Sequence, residues 1–230
     1  FIAYRGLFLL NGLLAAGREH LAAFGGCCLH GLIPNLLDSA RRPRFNARDA
    51  AWWFCWAVVE HHRVDPTVLD MQVPLRFPEG VHVEADHPSV YSRSVTLREI
   101  LLSILDAHLE GIAFREHRAG PQLDSVMSLG GFEVTVRVDP ETGLIHGGNA
   151  DNCGTWMDKM GDRAGNRGKP ATPRDGAAVE INALAFAVLE YFGAEMVLGG
   201  RHLAWRDRLR DSFERQYYLP DHGYYRDTVG

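Results

Sequence analysis

Residues 46–59 read Asn46-Ala47-Arg48-Asp49-Ala50-Ala51-Trp52-Trp53-Phe54-Cys55-Trp56-Ala57-Val58-Val59, and this stretch decides the fold. A helix starting near Asn46 would carry apolar or aromatic side chains almost all round, and such a helix has to be covered on every side. A second one is predicted over 177–196, where Val179, Ile181, Leu184, Phe186, Val188, Leu189, Tyr191 and Phe192 leave little solvent-facing surface. Two helices without a wet face need further helices around them.

The flanks supply those helices. Residues 1–11 and 13–29 read as two helices punctuated by Gly12 and Gly31, the second with Leu14, Leu21, Phe24 and Cys28 in helical spacing. Downstream, Thr96 and Glu99 form a capping box. The helix after it places Leu97, Ile100, Leu101, Ile104, Leu105 and Ile112 on one face. A last, more charged helix is expected over 204–217. Between these, Phe132 to Val138 alternates apolar and polar residues, and Asp139-Pro140-Glu141-Thr142-Gly143 supplies a turn before Leu144-Ile145-His146, which predicts a β-hairpin. The reading is a mainly α protein, a helical barrel or toroid with one inserted β-hairpin. No repeat or low-complexity linker marks a domain boundary within residues 1–230.

Composition narrows the function. The chain has 230 residues, 46% of them hydrophobic, enough for a substantial core. A formal charge of -5 argues against a nucleic-acid partner, since phosphate binding usually leaves a basic surplus. No stretch is long enough to span a membrane and no secretory leader is visible. Cys27, Cys28, Cys55 and Cys153 lack CxxC spacing and read as reduced thiols of a cytoplasmic protein. The eleven histidines are scattered without a ligand spacing, so no metal or cofactor is expected. Phe1-Ile2-Ala3-Tyr4 is already apolar and helix-like, which reads as a piece of a longer protein.

The hairpin delivers the chain into Gly147 to Glu180, where Asn149, Asp151, Asn152, Asp158, Asp162, Arg163, Arg167, Arg174 and Asp175 lie among seven glycines. Such a segment cannot build a core, so its side chains face a ligand, each other or water. Three acids stand out. Asp49 is either a first-turn acid that complements the helix dipole, or, beside Trp52 and Trp53 in a low-dielectric pocket, a carboxyl with the raised pKa of a general acid. Glu180 opens the second buried helix and is either paired with Arg174 or Lys169, or free to take a ligand. Asp158 is either paired with Lys159 or placed, with Trp156 two residues before it, to grip a sugar. Pyranose C–H faces stack on indole while carboxylates take the hydroxyls, so acids and indoles at helix starts fit carbohydrate chemistry.

The run NCGTWMDKMGDRAGNRGKPATPRDGAAVEINAL, preceded by ETGLIHGGNADN, closely resembles the glucosidase region of eukaryotic-type glycogen debranching enzymes. So do FIAYRGL at 1–7, HGLIPNLL at 30–37, FNARDAAWW at 45–53 and FREHRAGPQ at 114–122. The resemblance implies an (α/α)6 barrel of the six-hairpin glycosidase type, of which residues 1–230 would be a part lacking the first helices and the C-terminal portion. It implies hydrolysis, with inversion, of the α-1,6-linked glucose at branch points of glycogen or limit dextrin. It makes Asp49 of Arg-Asp-Ala-Ala-Trp-Trp the general acid, with Asp158 as the alternative. Asp158, Glu180 and Trp156 would bind the cleaved sugar, and Trp52, Trp53, Arg48, Asn149, Asn152 and Arg174 would complete the pocket.

The same resemblance places the general base after a segment like Gly223-Tyr224-Tyr225-Arg226-Asp227, outside these residues, and a transferase domain elsewhere in the full-length chain. The 230 residues alone are therefore expected to be nearly inactive and to expose helix faces meant to be covered. Two other readings stay open. One is a glucan-binding module without catalysis; the other is an (α/α)6 hydrolase acting on a glycoside such as trehalose.

Overall fold

The computed structural model describes residues 1–38, 42–152, 154–157 and 159–230. Its contacts divide the chain into two compact units, one of residues 1–45 and 50–107, the other of residues 46–49 and 108–230.

In the first unit, helix α1 (Leu14–Gly25) packs on α2 (Ala50–His62). The expectation for α2 holds: of its 13 residues only Trp53 and Trp56 are not buried. It begins at Ala50, however, not near Asn46. The four preceding residues leave helical geometry because their backbone pairs elsewhere, with Ala47 bridged to Gly154 inside the second unit. The helix expected over 1–11 is reduced to a π-helical turn, Arg5–Leu9. Gly17 shows why α1 carries a glycine there: a Cβ would come within 2.7 Å of the Tyr4 hydroxyl, which shares a hydrogen bond of 2.7 Å with His61 Nδ1. Burial pushes the Tyr4 hydroxyl up and His61 down, which favours the neutral form of both partners.

Short antiparallel pairs join these helices: β1 (Leu36–Asp38) with β2 (Arg42–Arg44), and β3 (Gln72–Pro74) with β4 (Ser94–Thr96). The latter leads into α3 (Leu97–Glu110), where the capping box forms as expected. Thr96 N–H donates to Glu99 at 2.7 Å and Glu99 N–H donates to the Thr96 hydroxyl at 3.2 Å. Leu97, Ile100, Leu101, Ile104 and Leu105 are buried. Cys27, Cys28 and Cys55 are free thiols, and burial pushes Cys27 up to about 11 and Cys28 up to about 12. Cys153 lies outside the described residues.

Ile112 is not on the α3 face, because Gly111, at φ +90°, ends the helix and releases the chain into a strand. This strand, β5 (Ile112–Arg115), starts the second unit's sheet. It pairs antiparallel with β6 (Glu133–Val138), which pairs with β7 (Ile145–Gly147) in the register Val138↔Ile145. The expected hairpin is thus part of a three-stranded sheet. Its turn is tied by Asp139, which accepts from Thr142 N–H at 2.7 Å. The Trp205 indole N–H donates to Gly143 O at 2.8 Å and holds the turn against a helix.

That helix is α5 (Gly200–Tyr217), which packs along α4 (Val179–Ala194). Ile181, Ala185, Val188, Leu189 and Phe192 of α4 and Trp205 and Leu209 of α5 are buried. The remaining strands are short: β8 (Ala177–Ala178) pairs with β11 (Thr228–Val229), and β9 (Tyr218–Leu219) with β10 (Tyr224–Tyr225). The protein is mainly helical with small sheets. Among the described residues no helix is long and apolar enough to cross a membrane.

Candidate functional site

The second unit folds the polar stretch back on itself. Gly147 and Gly176 exchange both backbone hydrogen bonds, at 3.1 and 2.9 Å, so the two ends of the stretch meet. The middle closes separately, through Gly161 N–H to Lys169 O and Ala171 N–H to Lys159 O, both 2.9 Å. Its apex, with Asp162 and Arg163, is exposed. The candidate residues Asn149, Asn152, Trp156 and Arg174 lie in the two limbs.

Arg48 joins the limbs. Its N–H donates to Gly154 O at 2.8 Å, its Nη2 donates to Arg174 O, and its Nη1 lies 3.4 Å from Gly176 O. Only 2% of it is exposed, so it holds backbone carbonyls. Burial pulls its guanidinium down to about 10, while the Glu180 and Asp49 carboxylates act in the opposite direction. The Gly147-Gly148 pair is required by this arginine and by the neighbouring strand. A Cβ on residue 147 would meet Thr135 O at 2.2 Å, and one on residue 148 would press on the guanidinium carbon at 3.3 Å.

With Arg48 anchored, Asp49 is delivered to the first limb. Its Oδ2 accepts from the Trp156 backbone N–H at 2.7 Å, across 107 residues of sequence. Asp49 is buried, whereas Trp156 is 54% exposed. A carboxylate and an open indole are thus tied to each other through one peptide group.

Glu180 sits in the first turn of α4. Its Oε2 accepts from Arg174 Nη2, so the ion-pair reading of the sequence holds. Arg174 is buried and adopts φ 55°, a left-handed backbone uncommon for a residue with a side chain. It reaches Asp227 as well, 3.3 Å from the backbone oxygen and 3.8 Å from Oδ1.

Five buried polar atoms in this part of the second unit have no hydrogen-bond partner among the described residues: Arg48 Nε, Asn152 Oδ1, Thr155 Oγ1, Arg174 Nε and Glu180 Oε1. Donors and acceptors are both among them. Buried polar groups are ordinarily satisfied, so this set is a candidate for groups that donate and accept at once, as hydroxyls do. Asn152 is held by its other end, its Nδ2 donating to Glu133 O at 2.8 Å. Asn149 Nδ2 donates to Gly130 O and its Oδ1 accepts from Asp151 N–H, so both ends of the amide tie loops. Asp158 lies outside the described residues. Trp52 and Trp53 belong to the first unit, the one fully buried and the other half-buried.

Two residues that shape the site escaped the sequence reading. Thr155, 1% exposed, is one of the five unpartnered groups. Asn182 accepts from Ile145 N–H at 2.7 Å and donates to Ala178 O and the Tyr217 hydroxyl at 3.0 and 2.9 Å, fixing β7 against α4. The signal for Asn182 was present: it is a lone amide inside an otherwise apolar helix.

A mainly helical protein with a buried acid tied to the peptide of an exposed indole, and buried polar atoms without partners among the described residues nearby, fits the glycoside hydrolases as a class. The family model described as amylo-alpha-1,6-glucosidase matches residues 1–230, and the chain belongs to that family. It is similar to the glycogen debranching enzyme of Saccharomyces cerevisiae, being 46% identical to it over 241 aligned residues. That alignment covers 96% of this chain and 16% of the yeast protein, so the chain spans a small part of that relative's length.

Proposed function

We propose that this chain supplies the proton-donating and sugar-gripping side of an α-1,6-glucosidase site, acting on branch-point glucose of glycogen or dextrin as part of glycogen debranching. The observation that carries the reading is the 2.7 Å hydrogen bond from Trp156 N–H to Asp49. It puts an acid next to a surface on which a pyranose can stack. Membership of the glucosidase family supports the reaction class.

In this reading Asp49 protonates the glycosidic oxygen as the bond to the anomeric carbon breaks. A second carboxyl group activates a water on the opposite face of the ring, and the product inverts. Glu180, Asn152 and Thr155 hold hydroxyls of the glucose and Trp156 takes its apolar face, with Asp158 as a further hydroxyl ligand. The helices belong to an (α/α)6 barrel.

The test is Asp49→Asn in the full-length enzyme. Glucose release from a branched limit dextrin should fall about 10²–10⁴-fold, the usual share of a general acid, while dextrin binding stays within about threefold. Unchanged glucose release would remove Asp49 from the chemistry. Glucan binding without glucose release in the unmutated enzyme would favour a binding module.

A further inference from the structure

The Arg174–Glu180 pair is single-pronged. A guanidinium facing a carboxylate commonly engages both oxygens through two parallel N–H groups, but here Nη2 engages Oε2, and Oε1 is buried with no partner among the described residues. The arginine's Nη2 and Nη1 also reach the Asp227 backbone oxygen and carboxylate, while its Nε has no partner among the described residues. Its own carbonyl is occupied too, accepting from Arg48 Nη2. Serving Arg48 through its backbone and Glu180 through its side chain coincides with a left-handed φ of 55° at a non-glycine residue. Such a conformation persists only where the surroundings over-determine it.

From this arrangement we propose that Arg174 is a positioning residue. By fixing Oε2 it directs Oε1 of Glu180 at a hydroxyl of the bound sugar, and through its carbonyl it ties that acid to Arg48, the neighbour of Asp49. It deepens the glucosidase reading above and rests on it for the identity of the ligand. The chemistry required of that ligand is a hydroxyl able to donate to a buried carboxylate oxygen. Without Arg174 the carboxylate is free to rotate, and the oxygen offered to the sugar is no longer held in place.

The experiment uses the full-length enzyme with Arg174→Lys, Glu180→Gln and the double variant. Branched dextrin is titrated calorimetrically and glucose release is followed for kcat and KM. Lysine keeps the charge but not the planar fork. Arg174→Lys should raise Kd and KM about tenfold, the effect of losing one hydrogen bond to a charged group, with kcat within about threefold. Added to Glu180→Gln, it should cost nothing further, because its effect runs through that carboxylate.

Wild-type Kd and KM in Arg174→Lys would overturn the proposal. So would an equal loss whether or not Glu180 is present, which marks a purely structural arginine. Thermal midpoints within a few degrees of wild type for all three variants secure the comparison, and Arg174→Gln replaces the lysine variant if it melts early. Dextrin binding is read independently of turnover. A wild-type enzyme that binds dextrin but releases no glucose sinks the hydrolase reading, while the coupling between Arg174 and Glu180 is still decided by Kd.

Discussion

Trp156 divides its roles between two parts of one residue. The backbone N–H holds Asp49, and the indole is half-exposed. Substitution separates the two: Trp156→Ala keeps the N–H and loses the ring. In the full-length enzyme we expect about tenfold weaker dextrin binding, the order of one lost stacking contact, with kcat much less affected and Trp156→Phe recovering most of the loss. Equal damage to kcat and binding would mean that the ring shapes the loop. At this scale Asp49 and Glu180 were singled out by the sequence as candidates because each stands at the start of an apolar helix. Thr155 and Asn182 were not, because a hydroxyl or an amide becomes informative only when its partners, or their lack, are known.

The elements followed the sequence wherever one local cause fixed them. The Thr96–Glu99 capping box forms, α2 is buried almost all round, and the turn at 139–143 closes as its Asp and Gly require. Replacing Thr96 by Ala should cost about 1 kcal/mol, the usual worth of an N-cap side chain. A denaturation midpoint that drops without a change in slope would check it, and an unchanged midpoint would show that β4 alone sets the helix start. Boundaries moved where distant chain intervened. The Asn46 helix start was displaced because Ala47 and Arg48 pair with Gly154, and β5 was hidden because Ile112 continues the apolar spacing of α3 although Gly111 breaks it. Both corrections come from long-range strand-like pairing, which a local period cannot report.

On the scale of the whole molecule, His20, His61 and His146 all have pKa values lowered from the ordinary 6.5, each chiefly by burial. Each therefore takes up its proton more readily in the unfolded chain. Stability from these groups is fully present above 6.5 and is lost as the pH falls from there towards their folded values. Asp65 and Asp139, held below 3.8 chiefly by hydrogen bonds from Thr67 and Thr142, keep their contribution until the pH falls below that range. The melting temperature should accordingly decline in two stages. A first decline starts near 6.5, and His61→Asn, which keeps a hydrogen-bonding side chain beside Tyr4, should reduce it. A flat profile from pH 7 to 5 would contradict the assignment.

Asn46–Asp49 lie between Phe45 and Ala50, both of the first unit, yet are counted with the second. A ribosome adds about 5–20 residues per second. The 107 residues between Asp49 and the N–H group that holds it therefore correspond to roughly 5–20 s of synthesis at that pace. For that interval the acid has been made and its holder has not. Expressing the chain in two pieces cut between 107 and 108 would make the separation permanent, leaving the acid on one polypeptide and the Trp156 peptide on the other.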